Sequence, residues 1–331
     1  MTGPLLIQYV VEDDDDPRAG LLVGDTVRAL PAGWPSTALG VLERWEEYSS
    51  ALQTLDADGL DAVQGATLTT PITFPSKVLC AGANYFSHTD EMGTERPDPN
   101  AAPFFFLKPP TTTIVGPDAV VPLPSGEDPR YDWEGELAVV IGRRARHVSR
   151  EQARSYVAGY LVADDLSARG LFARPNAVFP PFAYDWLAHK AQDGSCPIGP
   201  GIAPAFSLPD IESKRLTLSV NGEPKQDTLL EDLVIGIDGL VAGASDLMTL
   251  EPGDIILTGT PAGVGMPKNT FLAVGDRVEV AIEGVGRISH VIGDPAGPAA
   301  SSAGTTSRQE ARPQATTGDE PTDPALKGDT P

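Results

Sequence analysis

The sequence is poor in cysteine, in positive charge and in uninterrupted apolar runs. Cys80 and Cys196 are the two cysteines in 331 residues, too few for a disulfide framework, and they point to a reducing compartment. Lysine and arginine number 24 against 46 acids, a formal charge of −22. Surfaces that grip phosphate backbones or anionic lipids need basic patches, so neither nucleic-acid nor membrane partners are expected. No stretch approaches the roughly 18 apolar residues of a membrane span. The start MTGPLLIQYVVEDDDD lacks the basic segment and long apolar run of a signal peptide. A cytoplasmic protein is expected.

What is abundant is punctuation. The 34 glycines and 32 prolines favour many turns and short strands over a helical bundle. Residues 1–70 hold two apolar runs, LLIQYVV and LLVGDTVRAL, and then an amphipathic stretch ending near Leu55, which reads as a small accessory lobe with a hairpin and a helix. Asp13 to Asp16 read as a solvated loop between strands. Residues 75–292 read as a strand-rich α+β domain. From Gly293 the chain has Leu326 as its only large apolar residue, so 293–331 is expected to be a disordered tail. Inside the large domain, ELAVVIG and YLVADDL are strand-like. Between them, Ser149 with Gln152 forms a capping box and Gly159 is the expected helix stop. Asn221-Gly222 marks a hairpin, and two closing strands flank Gly284.

The chemistry-bearing signal is carboxylates placed where a core should be. In YDWEGELAVVIG, Glu134 and Glu136 are two apart, so an extended strand directs both to one face. The following residues are apolar on both faces, which carries these acids into low-dielectric surroundings. A second acidic pair, Asp164-Asp165, ends the run YLVA. An unpaired buried carboxylate needs a cation or a proton, and oxygen ligands without thiolate or imidazole suit Mg²⁺, Mn²⁺ or Ca²⁺. For Glu134, Glu136 and Asp165 to share an ion, the two strands must run antiparallel despite the intervening helix.

Upstream, Tyr85 follows a short strand, and His88 and Glu91 stand three apart, a spacing that places them on one helix face. Histidine oriented by a carboxylate makes a general base near neutral pH. The polar, proline-rich TERPDPNAAP next to it has the composition of a lid. Lys108 sits among aromatics and threonines, and Lys190 and Asp193 lie between an aromatic stretch and a Pro/Gly segment. Either lysine is a candidate for a substrate carboxylate or an oxyanion. TGTPAGVG, which holds Thr258 and Thr260, lacks the P-loop pattern and reads as an anion nest. Cys196 reads as a packed thiol.

The blocks GANYFSHTDEM, FFFLKPPTT, YDWEGELAVVIG, VAGYLVADDLSAR, HKAQDGSCPIGP and LTGTPAGVG, in that order over roughly residues 75–285, resemble the fumarylacetoacetate hydrolase family. The resemblance implies a mixed β-sandwich roll, a homodimer, and Mg²⁺ or Mn²⁺ held by Glu134, Glu136 and Asp165. It also implies a water-activating His88–Glu91 dyad on a mobile lid, Lys190 beside the metal and Thr260 in the substrate loop. Tyr85, Lys108, Arg169 and Asp193 in the matching blocks join Thr260 as candidate substrate contacts. Departures are Gly170 after SAR, HKAQD in place of GKSFD-like wording, and the insert GLFARPNAVFPPFAYDW, which alters the substrate pocket. The expected activity is metal-dependent hydrolysis of a carbon–carbon bond in a small anionic 2-oxo acid, a 2,4-dioxo acid of acylpyruvate type, through a metal-bound enolate. Decarboxylation, isomerisation or hydration on the same site are the alternatives. A catalytically silent metal- and carboxylate-binding scaffold is the alternative from another class.

Overall fold

The computed structural model describes residues 3–12 and 14–295. Two sheets pack face to face. The larger runs, edge to edge, through Thr26–Ala29, Asp14–Val23, Leu5–Val11, Cys196–Pro204, Val157–Asp164, Gly135–Ile141, Ile255–Leu257, Val78–Ala81 and Phe105–Lys108, with two short strands alongside. The smaller runs through Glu223–Leu229, Arg215–Val220, Arg277–Ile282, Gly286–Gly293 and Ala119–Pro122. The sheets meet where Gly135 lies: a Cβ there would stand 3.1 Å from both Leu218 and Val280. This is the strand-rich α+β domain expected from the punctuation, in the sandwich form that the family resemblance implies.

The strand Gly135–Ile141 is buried on both faces, and alternation divides its side chains between two cores. Leu137, Val139 and Ile141 join the core shared with the smaller sheet. Ala138 and Val140 join a second core, with Leu6, Val41, Leu42 and Trp45. The last three come from the helices Ala38–Glu43 and Trp45–Thr54, which cover the outer face. The first helix starts at Thr37, whose hydroxyl accepts from the Gly40 amide at 3.1 Å, a side-chain cap.

Of the two apolar runs of the N-terminal segment, LLIQYVV forms the strand Leu5–Val11, and LLVGDTVRAL supplies the end of Asp14–Val23 and the strand Thr26–Ala29; the three strands are antiparallel neighbours. The first also pairs with Cys196–Pro204, with Leu6 opposite Ile202, so this segment extends the main sheet. Asp14 to Asp16 belong to the second strand rather than to a loop, and Asp14 accepts from Arg18. Ser149 stands at the N-cap but its side chain makes no capping hydrogen bond, so the expected capping box does not form, and the helix is shorter than expected. Arg150–Ala153 passes through the 3-10 turn Arg154–Tyr156 straight into the strand Val157–Asp164. Gly159 lies inside that strand and stops no helix; a Cβ on it would sit 2.3 Å from the Ala203 carbonyl, so close strand approach requires glycine. Asn221 and Gly222 take φ of 51° and 77° in a two-residue hairpin between Val220 and Glu223, as their types predict. Gly293 still belongs to a strand; the rest of the expected tail, from residue 296, lies outside the described residues. Among the described residues no helix is long and apolar enough to cross a membrane.

Candidate active site

Strand alternation decides which acid of each pair faces which core. Leu161 and Ala163 point into the helix-covered core, and Asp165 continues that face; Glu134 and Glu136 continue the face of Ala138 and Val140. The two strands are antiparallel, with Gly135 opposite Asp164 and Glu136 opposite Ala163. The start of one therefore meets the end of the other, as ion sharing requires. Glu134, Glu136 and Asp165 are all buried, and ligand oxygens, one from each, lie within 4.8 Å of one another. Asp164 takes the opposite face. It accepts from the Glu134 amide at 2.7 Å and lies 3.3 Å from His290 of the smaller sheet.

Lys190 and Arg169 supply the nearest positive charge. Lys190 comes from the last turn of the helix Trp186–Lys190, whose first turn is capped by Asp185 accepting from the Ala188 amide at 2.9 Å. Its Nζ donates to Glu134 Oε2 at 2.8 Å and to Asp165 Oδ2 at 2.7 Å. Arg169 donates to Glu134 Oε1 at 2.6 Å and to Asp132 Oδ2 at 3.1 Å. Burial works against both charged partners of the Lys190–Glu134 contact. Even so, Asp165 and Glu134 hold the Lys190 ammonium above its usual range, and Lys190 and Arg169 hold Glu134 well below the usual carboxylate range. Glu136 has no such direct cation: burial, then Asp165 and Glu134, push it well up, although it accepts from the Gly259 amide at 2.6 Å.

That imbalance is the test of fit for a cation. A buried carboxylate pressed by two others takes up either a proton or a metal ion. Asp165 Oδ1 has Lys108 Nζ at 2.9 Å but makes no hydrogen bond. Three carboxylates without thiolate or imidazole are the hard donor set of a divalent cation that prefers oxygen. The residues fit such an ion.

His88 and Glu91 lie on the helix Phe86–Glu91 with His88 Nδ1 3.3 Å from Glu91 Oε2. The other Glu91 oxygen accepts from the Gly263 amide at 3.1 Å, which leaves His88 Nε2 as the nitrogen free for chemistry. His88, the three acids, Arg169, Lys190 and Thr260 line one cavity of about 450 Å³, within the usual size of a small-molecule site. Thr260 is held by donating to the Gly135 carbonyl at 3.1 Å and accepting from Gln226 at 2.8 Å.

Three expected substrate contacts are elsewhere. Lys108 is fully buried below the site, where its ammonium donates to the carbonyls of Leu166, Lys190 and Ser195 and to the Ser195 hydroxyl. It meets Asp165 but does not line the cavity; its role is to balance charge and tie three segments together. Tyr85 is likewise buried outside the lining, its phenol pushed up by burial and then by Glu136. Asp193 is exposed on the turn after the helix. The expected anion nest also has a different occupant. Gly259, Gly263 and Gly265 give their amides to Glu136, Glu91 and Asp132, so the loop grips the protein's own carboxylates. Cys196 is a packed thiol, pushed up to about 12 by burial.

Sequence reasoning missed Asp132, Arg130, His189 and the aromatic residues of the cavity. Asp132 stands two before Glu134 and shares its alternation, which is a usable signal. His189 is visible as the departure HK. The aromatics come from segments far apart, and nothing local joins them.

The fold and site together define a mixed β-sandwich with a buried cluster of three carboxylates that could hold a divalent cation. Residues 77–292 match the family profile described as fumarylacetoacetate (FAA) hydrolase C-terminal, and the chain belongs to that family. A mitochondrial oxaloacetate tautomerase of Homo sapiens is 35% identical over 293 residues, 86% of this chain and 90% of that protein. A maleylpyruvate hydrolase from Sphingobium sp. SYK-6, solved with manganese (II) ion and pyruvate, is 31% identical with a TM-score of 0.68, covering 88% of this chain and 99% of its own. A 2-hydroxyhepta-2,4-diene-1,7-dioate isomerase from Mycobacterium marinum is 29% identical with a TM-score of 0.67, covering 89% and 100%. These relatives are named as a tautomerase, a hydrolase and an isomerase, so the family's enzymes differ in reaction.

Proposed function

We propose that this chain is a divalent-cation-dependent enzyme that hydrolyses a carbon–carbon bond in a 2,4-dioxo acid, with Mg²⁺ or Mn²⁺ as its ion. The observation that carries the reading is that one cavity holds both the three gathered carboxylates and a histidine steadied by its own carboxylate. An ion held by Glu134, Glu136 and Asp165 would supply a Lewis acid for the oxygens of the 2-oxo carboxylate.

The chain's own residues do the rest. His88, with Nδ1 directed at Glu91, takes a proton from water at Nε2 as that water attacks the C4 carbonyl. Collapse of the adduct breaks the C3–C4 bond, releases a carboxylic acid, and leaves the pyruvate fragment as its enolate. Lys190 stays protonated between Glu134 and Asp165, so it stabilises that negative charge and does not act as a base. The enolate then takes a proton at C3, and water has been divided between the two products. Arg169 keeps Glu134 ionised and aimed.

A second reading is keto–enol tautomerisation of a 2-oxo diacid, favoured by the 35% identity to oxaloacetate tautomerases. It uses the same base and the same enolate but no water addition. Product analysis with a panel of 2,4-dioxo acids and oxaloacetate, with and without EDTA, separates the two. Hydrolysis yields equal amounts of pyruvate and a carboxylic acid, lost on chelation. Solvent deuterium entering C3 of oxaloacetate with no cleavage of any dioxo acid would replace the first reading by the second.

A further inference from the structure

The proposed chemistry occupies the acidic end of the cavity, and its other end is aromatic. Phe106 and Trp186 stack at 4.8 Å between ring centroids, and Phe104 tilts against Trp186 at 5.4 Å. Phe172, from the insert that departs from the family wording, meets Trp186 edge-on at 4.9 Å and His189 at 4.7 Å. The wall is assembled from three separate stretches of chain. Its rings are packed on one another yet left open outward: Phe104 is 53% exposed and Trp186 36%. Apolar surface of this kind, beside a polar centre, is what a ligand's tail covers.

The wall is continuous with the acidic end through one side chain. Lys190 Nζ stands 2.8 Å from Glu134 Oε2 and 5.3 Å from the centre of the Phe106 ring. A 2-oxo acid with its carboxylate end at the three acids therefore sends its C4 substituent toward Phe106 and Trp186. The cations of the lining are engaged elsewhere. Lys190 and Arg169 hold carboxylates, and Arg130 donates to Asn269 and lies over Phe271 at 4.7 Å. His189, which contributes to the wall, is buried with an unpartnered Nδ1 and is pushed down to about 3 by burial, then by Lys190 and Arg169. The wall thus offers flat, uncharged faces.

We propose that Phe104, Phe106, Phe172, Trp186 and His189 form a subsite for a planar apolar substituent, an aryl group, at C4 of the 2-oxo acid. This inference rests on the reading of the site as a 2-oxo acid site. Aromatic pairs prefer offset-stacked and edge-on arrangements and gain from them beyond the area they bury, and the tilted and stacked rings of the wall present faces and edges for both.

The test is calorimetric titration of the full-length, Mn²⁺-loaded protein with three acids that the proposed hydrolysis cannot cleave: 2-oxobutanoate, 2-oxo-4-phenylbutanoate and 2-oxoglutarate. The phenyl acid is expected to bind at least tenfold more tightly than either of the others. Trp186→Ala should remove that preference and leave 2-oxobutanoate within about twofold, while Trp186→Phe keeps most of it. Tightest binding of 2-oxoglutarate, or a phenyl preference that survives both Trp186→Ala and Phe172→Ala, would overturn the subsite and leave the 2-oxo acid reading standing. Failure of all three acids to bind would overturn that reading and the subsite with it.

Discussion

The two ends of one cavity are stabilised in opposite ways. The acidic end is an electrostatic balance among buried groups: Glu134, Glu136 and Asp165 face Lys190, Arg169 and Lys108, nearly all of them buried and each held by at least one directional contact. The aromatic end is held mainly by ring contacts, and two of its five side chains, Phe104 and Trp186, are exposed. Removing a charge from the first leaves a buried partner unpaired, which is costly. Trimming a ring from the second removes contact area and little else. The proposed chemistry thus lies at the charge-balanced end, and substitutions at the other end leave that balance intact.

The largest effect is expected from Lys108→Met. Lys108 Nζ and Asp165 are both fully buried and 2.9 Å apart, so the variant should lose roughly 3–5 kcal/mol of stability in urea unfolding of the metal-free protein. A variant that unfolds normally but binds 2-oxo acids poorly would make Lys108 a substrate contact after all. Next comes the division of labour within the acidic end. His88→Ala should lower turnover by about 10² to 10⁴ with Mn²⁺ affinity unchanged, while Glu136→Ala should weaken Mn²⁺ binding first. Loss of metal in the His88 variant would show that a ligand had been mistaken for a base.

The smallest effect concerns pH at the aromatic end. His189 is pushed down to about 3 in the folded chain by burial, then by Lys190 and Arg169, whereas the unfolded chain takes up this proton near 6.5. Its contribution to stability is therefore full above about pH 6.5 and is lost as the pH falls toward 3, at about 1.4 kcal/mol per pH unit. Asp164, pushed up to about 7 mainly by burial, acts in the opposite sense between about pH 7 and 4, so the parent profile alone does not isolate His189. The informative quantity is the difference: thermal unfolding of His189→Phe should be less acid-sensitive than that of the parent between pH 6.5 and 4. Equal slopes would mean that His189 is protonated in the folded chain.

Much of the acidic end was legible because it follows a period of two. Glu134 and Glu136 share a face by alternation, and the same rule sends Asp165 to that face and Asp164 to the other. The His88–Glu91 pair was legible because three residues make nearly one helical turn. Lys108 misled because aromatics and threonines around a lysine look the same in sequence whether its ammonium is free or enclosed. Its hydrogen-bond partners lie 58 to 87 residues away, beyond the reach of any local pattern. The glycine loop misled for a related reason. Backbone amides announce an anion, but only the packing says whose carboxylates they bind.

The sequence by itself determined the family, the turns, the strand alternation and the hard-oxygen character of the site, because each depends on residues within a few positions or on the order of recognisable blocks. Tertiary structure alone decided the antiparallel register that gathers the acids, the separate duties of Lys108 and Lys190, and the aromatic wall. Each of these depends on which distant segments meet, and that is set by packing two sheets and their helices around two shared cores.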